Sequence, residues 1–176
     1  MKKYELTEET KTEFGITLHR IRALRSFGDV EEGELGGWIE KEKNLSQEDN
    51  SWVYGNARVP GNAEVSGNAW VSGNARVSGN ARVSGNAEVS GDARVSGNAD
   101  ISSNSDIFWV TKIGSRNDTT TFFKSKENEI WVNCGCFSGN IDQFATKVTE
   151  THGDNEHGQA YRLAIQIAKL RIKVSE

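Results

Sequence analysis

The amino-acid sequence predicts a mainly β fold, in which a parallel β-helix is closed by a cap at each end. The first observation behind this prediction is a strict six-residue period over residues 53–106. The second is a Gly-Asn or Gly-Asp pair at the same two places of nearly every unit. The third is that the flanks, residues 1–52 and 107–176, lack this period and carry the patterns of ordinary strands and helices. We therefore expect three parts: 1–52, 53–106 and 107–176.

The repeating unit begins with an aliphatic residue and places a small residue four positions later. From Val53 the chain reads VYGNAR, VPGNAE, VSGNAW, VSGNAR, VSGNAR, VSGNAE, VSGDAR, VSGNAD and ISSNSD, which makes nine consecutive units. Val is β-branched and favours extended backbone, whereas Gly and Asn readily adopt the positive φ of a sharp corner. Each unit is therefore predicted to be a short strand followed by a turn, and three units close one triangular coil of 18 residues.

Successive coils are predicted to stack as parallel strands about 4.8 Å apart, with the aliphatic residues inside. Residues 18 positions apart then form outward columns. The three columns are Arg58, Arg76 and Arg94; Glu64, Arg82 and Asp100; and Trp52, Trp70, Glu88 and Asp106. The arginine column leaves two interpretations open: solvated or acid-paired side chains, or a contact for an anion or an acidic protein. Trp52 over Trp70 is either cap packing or an exposed interface anchor.

The flanks are predicted to cover the strand edges and the apolar core that a β-helix exposes at its ends. In the N-terminal flank, Tyr4–Leu6 and Ile16–Leu24 are predicted to be extended, and the Gly-rich stretch from Gly33 to Ile39 to be irregular coil. In the C-terminal flank, strands are predicted near 107–113, 119–125 and 129–136, with a turn at Glu127-Asn128.

Two helices are predicted after these strands. The first begins near Ser138 or Asn140 and ends near Gly153, and the second runs from about Glu156 to Val174. The second helix carries one apolar stripe, formed by Tyr161, Ala164, Ile165, Ala168 and Ile172. The C-terminal flank is therefore expected to be an α+β cap.

The repeat has the pattern aliphatic-x-x-x-small-x and resembles the hexapeptide-repeat left-handed β-helix family. In addition, RIRALRSFGDVEEGELGGWIEKEKNLS running into WVYGNARV, and DTTTFFKSKENEIWVNCGCFSG with the later FATKVTETHG, resemble poorly characterised hexapeptide-repeat proteins of phages and prophages. The first resemblance implies a left-handed helix and a homotrimer, which the flat triangular faces also favour. The second implies a viral or prophage origin but supplies no reaction and no site residues.

Enzymes of the hexapeptide-repeat family use histidines that this repeat lacks. The resemblance implies either an acyltransferase, with a histidine on a loop between coils, or a carbonic anhydrase, with zinc held by histidines of the coils. Here the nine units contain no histidine and no inserted loop, and His19, His152 and His157 all lie in the flanks. We therefore expect a protein that binds rather than catalyses and needs no cofactor, with an acyl-coenzyme A acyltransferase as the alternative.

Two further sets of residues lie in the C-terminal flank. Cys134, Cys136, His152 and His157 are weak candidates for zinc, because one intervening residue departs from the usual cysteine spacing. The other interpretation is small core cysteines with polar loop histidines. A second set could hold a phosphorylated ligand through cations and aromatic rings: Arg116, Lys124, Trp131, Lys147 and Arg162.

The net charge of −4 argues against a general nucleic-acid binder. The chain has no apolar run of membrane-spanning length and no signal-peptide pattern at its start, and two cysteines suit a reducing compartment. We therefore expect a cytoplasmic protein. The functional hypothesis is a phage-encoded counter-defence factor that captures a host protein or a nucleotide-like anion, and a structural virion component is a further alternative.

Overall fold

A computed structural model describes residues 1–174 of the chain. At the N terminus, strands β1 (Tyr4–Glu13) and β2 (Ile16–Ala23) form an antiparallel hairpin, and β3 (Leu35–Ile39) pairs antiparallel with β2. The prediction of irregular coil over 33–39 is therefore wrong. The glycines serve close packing instead, because a Cβ on Gly36 would stand 2.6 Å from the carbonyl oxygen of Val53.

The β-helix continues from β3 with nine two-residue strands, each of which ends at the first residue of a sequence unit and begins at the residue before it. They are β4 (Trp52–Val53), β5 (Arg58–Val59), β6 (Glu64–Val65), β7 (Trp70–Val71), β8 (Arg76–Val77), β9 (Arg82–Val83), β10 (Glu88–Val89), β11 (Arg94–Val95) and β12 (Asp100–Ile101). Parallel pairing joins β3-β5-β8-β11 on one face, β4-β7-β10 on the second and β6-β9-β12 on the third. The predicted fold class is confirmed: the protein is mainly β, with a parallel β-helix of about 18 residues per turn.

The core of the β-helix is a column of aliphatic residues with alanines near the corners. Val59, Val77 and Val95, which follow one another on the first face, are at most 1% exposed. On the outer side of the corners, asparagine side chains form hydrogen bonds between successive coils. The Asn68 side-chain amide, for example, donates to the side-chain oxygen of Asn86 at 3.1 Å. The repeat therefore fixes both the inside and the outside of each coil.

The C-terminal part is a four-stranded antiparallel sheet covered by two helices. The strands are β13 (Ile107–Ile113), β14 (Asp118–Lys124), β15 (Ile130–Cys134) and β16 (Phe137–Asn140), and the helices are α1 (Ile141–His152) and α2 (Glu156–Arg171). The two helices are confirmed, and the Asn140 side chain caps the start of α1. The third predicted strand was too long, since the chain turns at Gly135 (φ +58°) and returns as β16.

The last coil ends in a way that the sequence columns did not predict. Asp106 does not extend the column of Trp70 and Glu88, because the Glu88 amide donates instead to the side-chain oxygen of Asn104 at 2.8 Å. The buried Asp106 carboxylate accepts four hydrogen bonds from Ser102 and Ser103. Burial alone would raise the pKa of Asp106, but these hydrogen bonds outweigh it and lower the pKa. Asp106 therefore holds the exit turn of the β-helix.

The two stacked tryptophans have different roles. Trp52 is fully buried and contacts the rings of Tyr4 and Phe27 edge to face, so it belongs to the packing of the N-terminal cap. Trp70 is 37% exposed and lies edge to face with Tyr54. Within residues 1–174, no helix has the length and apolar character to cross a membrane.

Candidate anion-binding groove

The predicted arginine column exists and lies on the first face of the β-helix. Arg58, Arg76 and Arg94 are consecutive partners in the parallel sheet, and Trp38 of β3 precedes them in the same column. Adjacent strands are about 4.8 Å apart, so the three arginine side chains leave the backbone at closely spaced positions. A column of like charges on one sheet face is unfavourable unless an anion compensates it.

The β1–β2 hairpin supplies one such anion. Its tip crosses the first face, and the Glu13 carboxylate lies 3.0 Å from Arg58 Nη1 and 3.3 Å from Arg76 Nη1. Lys11 on the same strand contacts Glu13 at 3.4 Å and lies over the Trp38 ring at 4.4 Å. The first two arginines are therefore paired with an acid, as one of the two sequence interpretations allowed.

The pKa values of this cluster reflect both burial and charge. Partial burial would raise the pKa of Glu13, but hydrogen bonds and charge from Arg58 and Lys11 outweigh it, so the pKa is lowered. Burial lowers the pKa of Arg76, Glu13 opposes this, and the charges of Arg58 and Arg94 lower it further. One carboxylate therefore does not neutralise the three arginines, and Arg76 still experiences repulsion from both neighbours.

A groove of about 830 Å³ runs along this arginine column. The hairpin-tip residue Phe14 lines it, and so do residues of the C-terminal sheet, including Lys112 and Phe137. Its charged lining residues are Arg58, Arg76, Arg94, Lys112, Asp92 and Asp118. The two acids accept hydrogen bonds from the chain itself, Asp92 from Asn74 and Asp118 from the amide of Thr119. The groove is thus lined by four cations, two acids and the aromatic rings of Phe14 and Phe137.

The C-terminal sheet is fixed firmly to this end of the groove. The Thr121 hydroxyl accepts from the Arg94 amide at 3.0 Å, and the Asn133 side chain donates to the Arg94 carbonyl at 2.8 Å. These bonds hold the backbone of Arg94 and leave its side chain exposed in the groove. A rigid backbone with an accessible guanidinium is a suitable arrangement for binding an anion.

The predicted cation–aromatic set of the C-terminal part is not brought together in one place. Arg162 donates hydrogen bonds to the Gly153 carbonyl and the Asp154 carboxylate, both in the loop between the two helices. Trp131 packs against the β-helix core, and Lys124 lies in β14 opposite Ile130. Lys124 and Trp131 lie on adjacent strands but one register position apart, so their side chains point to opposite faces of the sheet, and Arg162 lies on α2.

Arg116 and Lys147, in contrast, line one cavity of about 540 Å³ beside α1. Cys134, Cys136, His152 and Tyr161 also line it. The Cys134 thiol accepts from the Thr120 hydroxyl at 3.1 Å and lies 3.5 Å from the Tyr161 hydroxyl. The His152 and His157 rings lie edge to face, 5.8 Å apart. Within residues 1–174, no group of three or more His, Cys, Asp or Glu side chains is placed to hold a metal ion.

Two residues that line the groove, Phe14 and Lys112, and the acid that pairs with its arginines, Glu13, were not found from the sequence. They lie on a hairpin and on an antiparallel sheet whose placement across the repeat faces depends on distant contacts. The unfavourable arginine column was a signal that a compensating acid should exist, but it did not indicate which acid. Phe14, 91% exposed at the hairpin tip with φ +51°, could only be assigned to the groove from the structure.

One protein family and one known protein are similar to parts of this chain. The family described as YdcK Beta solenoid repeat matches residues 75–91. A protein of Escherichia coli (strain K12) named "Uncharacterized acetyltransferase YdcK" is 40% identical over 62 residues, which is 31% of this chain. The chain covers 19% of the length of that protein. These likenesses and the fold support a hexapeptide-repeat β-helix.

Proposed function

We propose that this chain is a binding protein that captures an anionic ligand in the groove along the arginine column. The observation that carries the proposal is the imbalance on the first face, where Glu13 contacts Arg58 and Arg76 while the Arg94 side chain stays exposed. A phosphate or carboxylate of a ligand would complete the compensation by charge-assisted hydrogen bonds. Lys112 also lines the groove and adds a further cation to the three arginines.

The aromatic rings suggest the class of anion. Phe14 and Phe137 line the groove beside the cations, and a nucleobase stacks favourably on such rings. A volume of about 830 Å³ is of the size used for small-molecule ligands. A nucleotide-like ligand therefore fits the proposal better than a simple inorganic anion.

The finer form of the proposal is a phage-encoded counter-defence factor of the host cytoplasm that sequesters a signalling nucleotide. It is supported by the resemblance of the flanking segments to phage and prophage proteins. A homotrimer, which the resemblance to hexapeptide-repeat proteins favours, would repeat the groove three times. Capture of a host protein with an acidic surface on the same arginines is the other form.

The test is a capture-and-release measurement. The purified protein is incubated with cyclic di-AMP, ATP or inorganic pyrophosphate, free ligand is measured, the protein is heat-denatured, and ligand is measured again. We expect a nucleotide to be depleted and then recovered intact. Recovery of fragments would indicate an enzyme, and failure to deplete any of the three probes would contradict the nucleotide form and leave the host-protein form to be tested by co-purification.

Matched arginine variants locate the site. Arg94→Gln should weaken binding about tenfold or more, because a hydrogen bond to a charged group contributes about 1.5–3 kcal/mol. Arg82→Gln is the control, since Arg82 is also exposed but lies on the third face. Equal binding by the two variants would exclude the groove as the site.

Acyl transfer is the second candidate, and the name of the E. coli relative is the observation that favours it. His19 lies in β2, and His152 and His157 lie in the C-terminal helices, so all three histidines are outside the repeat units. Incubation with acetyl-coenzyme A and a mixture of amine and hydroxyl acceptors, with release of free thiol as the readout, separates this candidate from capture.

A further inference from the structure

The second helix carries an apolar stripe on the side opposite to the stripe that packs inward. Leu163, Ile167 and Leu170 are 61%, 44% and 71% exposed, respectively. Their spacing of four and three residues places them on one face of α2. The inward face is formed by Tyr161, Ala164, Ile165 and Ala168, all of which are buried in the C-terminal core. Among residues 1–174, these three side chains therefore belong to neither hydrophobic core.

The charges at the two ends of this stripe are opposite. Glu156 begins α2 with its side chain 88% exposed, and its contact with the adjacent His157 is 3.9 Å long. Arg171 ends α2 and is exposed, and Lys173 follows it, also exposed. The acidic start and the basic end also match the polarity of the helix dipole. Such a helix is complementary to a copy of itself in the antiparallel direction.

Two antiparallel copies can be aligned from the residue positions alone. A twofold axis at the level of residue 165 places Leu163 of each helix opposite Ile167 of the other, and Leu170 opposite Ala160. The same alignment places Glu156 of one copy roughly 4.5 Å along the axis from Arg171 of the other, at a rise of about 1.5 Å per residue. One register therefore buries the apolar stripe and pairs the charged ends.

We propose that the outer stripe of α2 is a twofold contact between two copies of this chain. The proposal goes beyond the proposed ligand capture and does not depend on it, because α2 contributes no residue to the groove. The contact is isologous, so each copy presents the same three apolar side chains and both charged ends. It is compatible with a dimer, or with two trimers joined through their C-terminal parts.

Light scattering during size-exclusion chromatography at micromolar concentration tests the proposal on the full chain. We expect an even multiple of the 19.4 kDa of one chain. Leu163→Glu should halve the measured mass, since it places charges in the centre of the contact. Thr149→Glu is the matched control, because Thr149 is an exposed helical residue that lies on α1 and not on α2, and it should leave the mass unchanged.

A charge exchange tests the antiparallel register. Glu156→Arg alone and Arg171→Glu alone should each shift the assembly towards the half mass, whereas the double variant should restore it. Circular dichroism melts establish that each variant is folded. A wild-type mass of one or three chains overturns the proposal, as does an unchanged mass for folded Leu163→Glu. A double variant that fails to restore the assembly overturns the antiparallel arrangement.

Discussion

The carboxylate of Glu13 lies 3.0 Å from the guanidinium of Arg58, although 45 residues separate them in the chain. The contact fixes the tip of the β1–β2 hairpin to the first face of the β-helix. It also occupies, together with the contact to Arg76, two of the three arginines that line the groove. Under the proposed function, Glu13 would compete with an anionic ligand for Arg58 and Arg76.

Replacing this carboxylate should affect stability and ligand affinity in opposite directions. Glu13→Gln is expected to lower the free energy of unfolding by about 1 kcal/mol or less, as for a partly exposed ion pair. The same variant should bind anionic ligands several-fold more tightly, because the competing charge is removed. Chemical denaturation and ligand titration measure the two effects. Glu9→Gln on the same strand is the control, since Glu9 contacts only Arg20, at 3.7 Å, among the ion pairs of residues 1–174.

The inward register of the repeat predicts a large difference between two aspartate substitutions. Val77 is fully buried, so Val77→Asp should cost about 3 kcal/mol or more, because an unpaired charge would enter the core. Asn86→Asp changes an exposed corner residue and keeps the oxygen that accepts from Asn68. Thermal melts of the two variants compare them directly, and similar melting temperatures would contradict the assigned register.

Two corner glycines allow the cost of a strained backbone to be measured separately from the cost of a steric clash. Gly79 and Gly97 have similar φ values of +69° and +66°, but a Cβ on Gly79 would stand 2.9 Å from the Gly97 amide nitrogen. A Cβ on Gly97 would meet no atom within 4 Å. Gly97→Ala should therefore cost about 1–2 kcal/mol from the left-handed conformation alone. Gly79→Ala should cost clearly more, and equal unfolding free energies for the two variants would show that the coils can separate without penalty.

The buried amine of Lys3 should make stability depend on alkaline pH. Its Nζ donates to the carbonyls of Ser51 at 2.8 Å and Glu48 at 3.0 Å, and its side chain is fully buried. Burial lowers the pKa of Lys3 from 10.5 to about 8; the charge of Asp49 raises it, and that of Arg25 lowers it. Between about pH 8 and 10.5 the Lys3 amine then holds its proton more in the unfolded chain than in the folded chain, so the contribution of Lys3 to stability should rise with pH in this range.

Lys3→Met removes the titrating group and should flatten this rise, although it also leaves two carbonyls without a donor and so lowers stability at every pH. Lys2→Met is the matched control, because Lys2 is exposed and should retain the slope of the wild type. Denaturant titrations at several pH values give the slopes. A slope that survives in Lys3→Met would mean that another group titrates in this range.

The sequence predicted the β-helix part well because the information there is local and repeated. Val77 and its equivalents form the inside of the coil, and Gly79 and its equivalents form the corner. The residues that share a column could therefore be predicted by counting 18 positions along the sequence. The two C-terminal helices were also predicted, since the Asn140 cap and the Gly153 end lie next to the helix they limit. Residues 33–39 were misassigned because their glycines serve a contact with another coil.

By itself, the sequence determined the coil, its core and the arginine column on one face. Only the tertiary structure decided that Glu13 compensates part of that column, that Phe14 and Lys112 complete the groove, and that Leu163 and its neighbours on α2 face outward. The physical reason is the range of the interactions. A six-residue period fixes which residues share a face, whereas the docking of a hairpin or a helix depends on the shape and charge of surfaces made by residues far away in the chain.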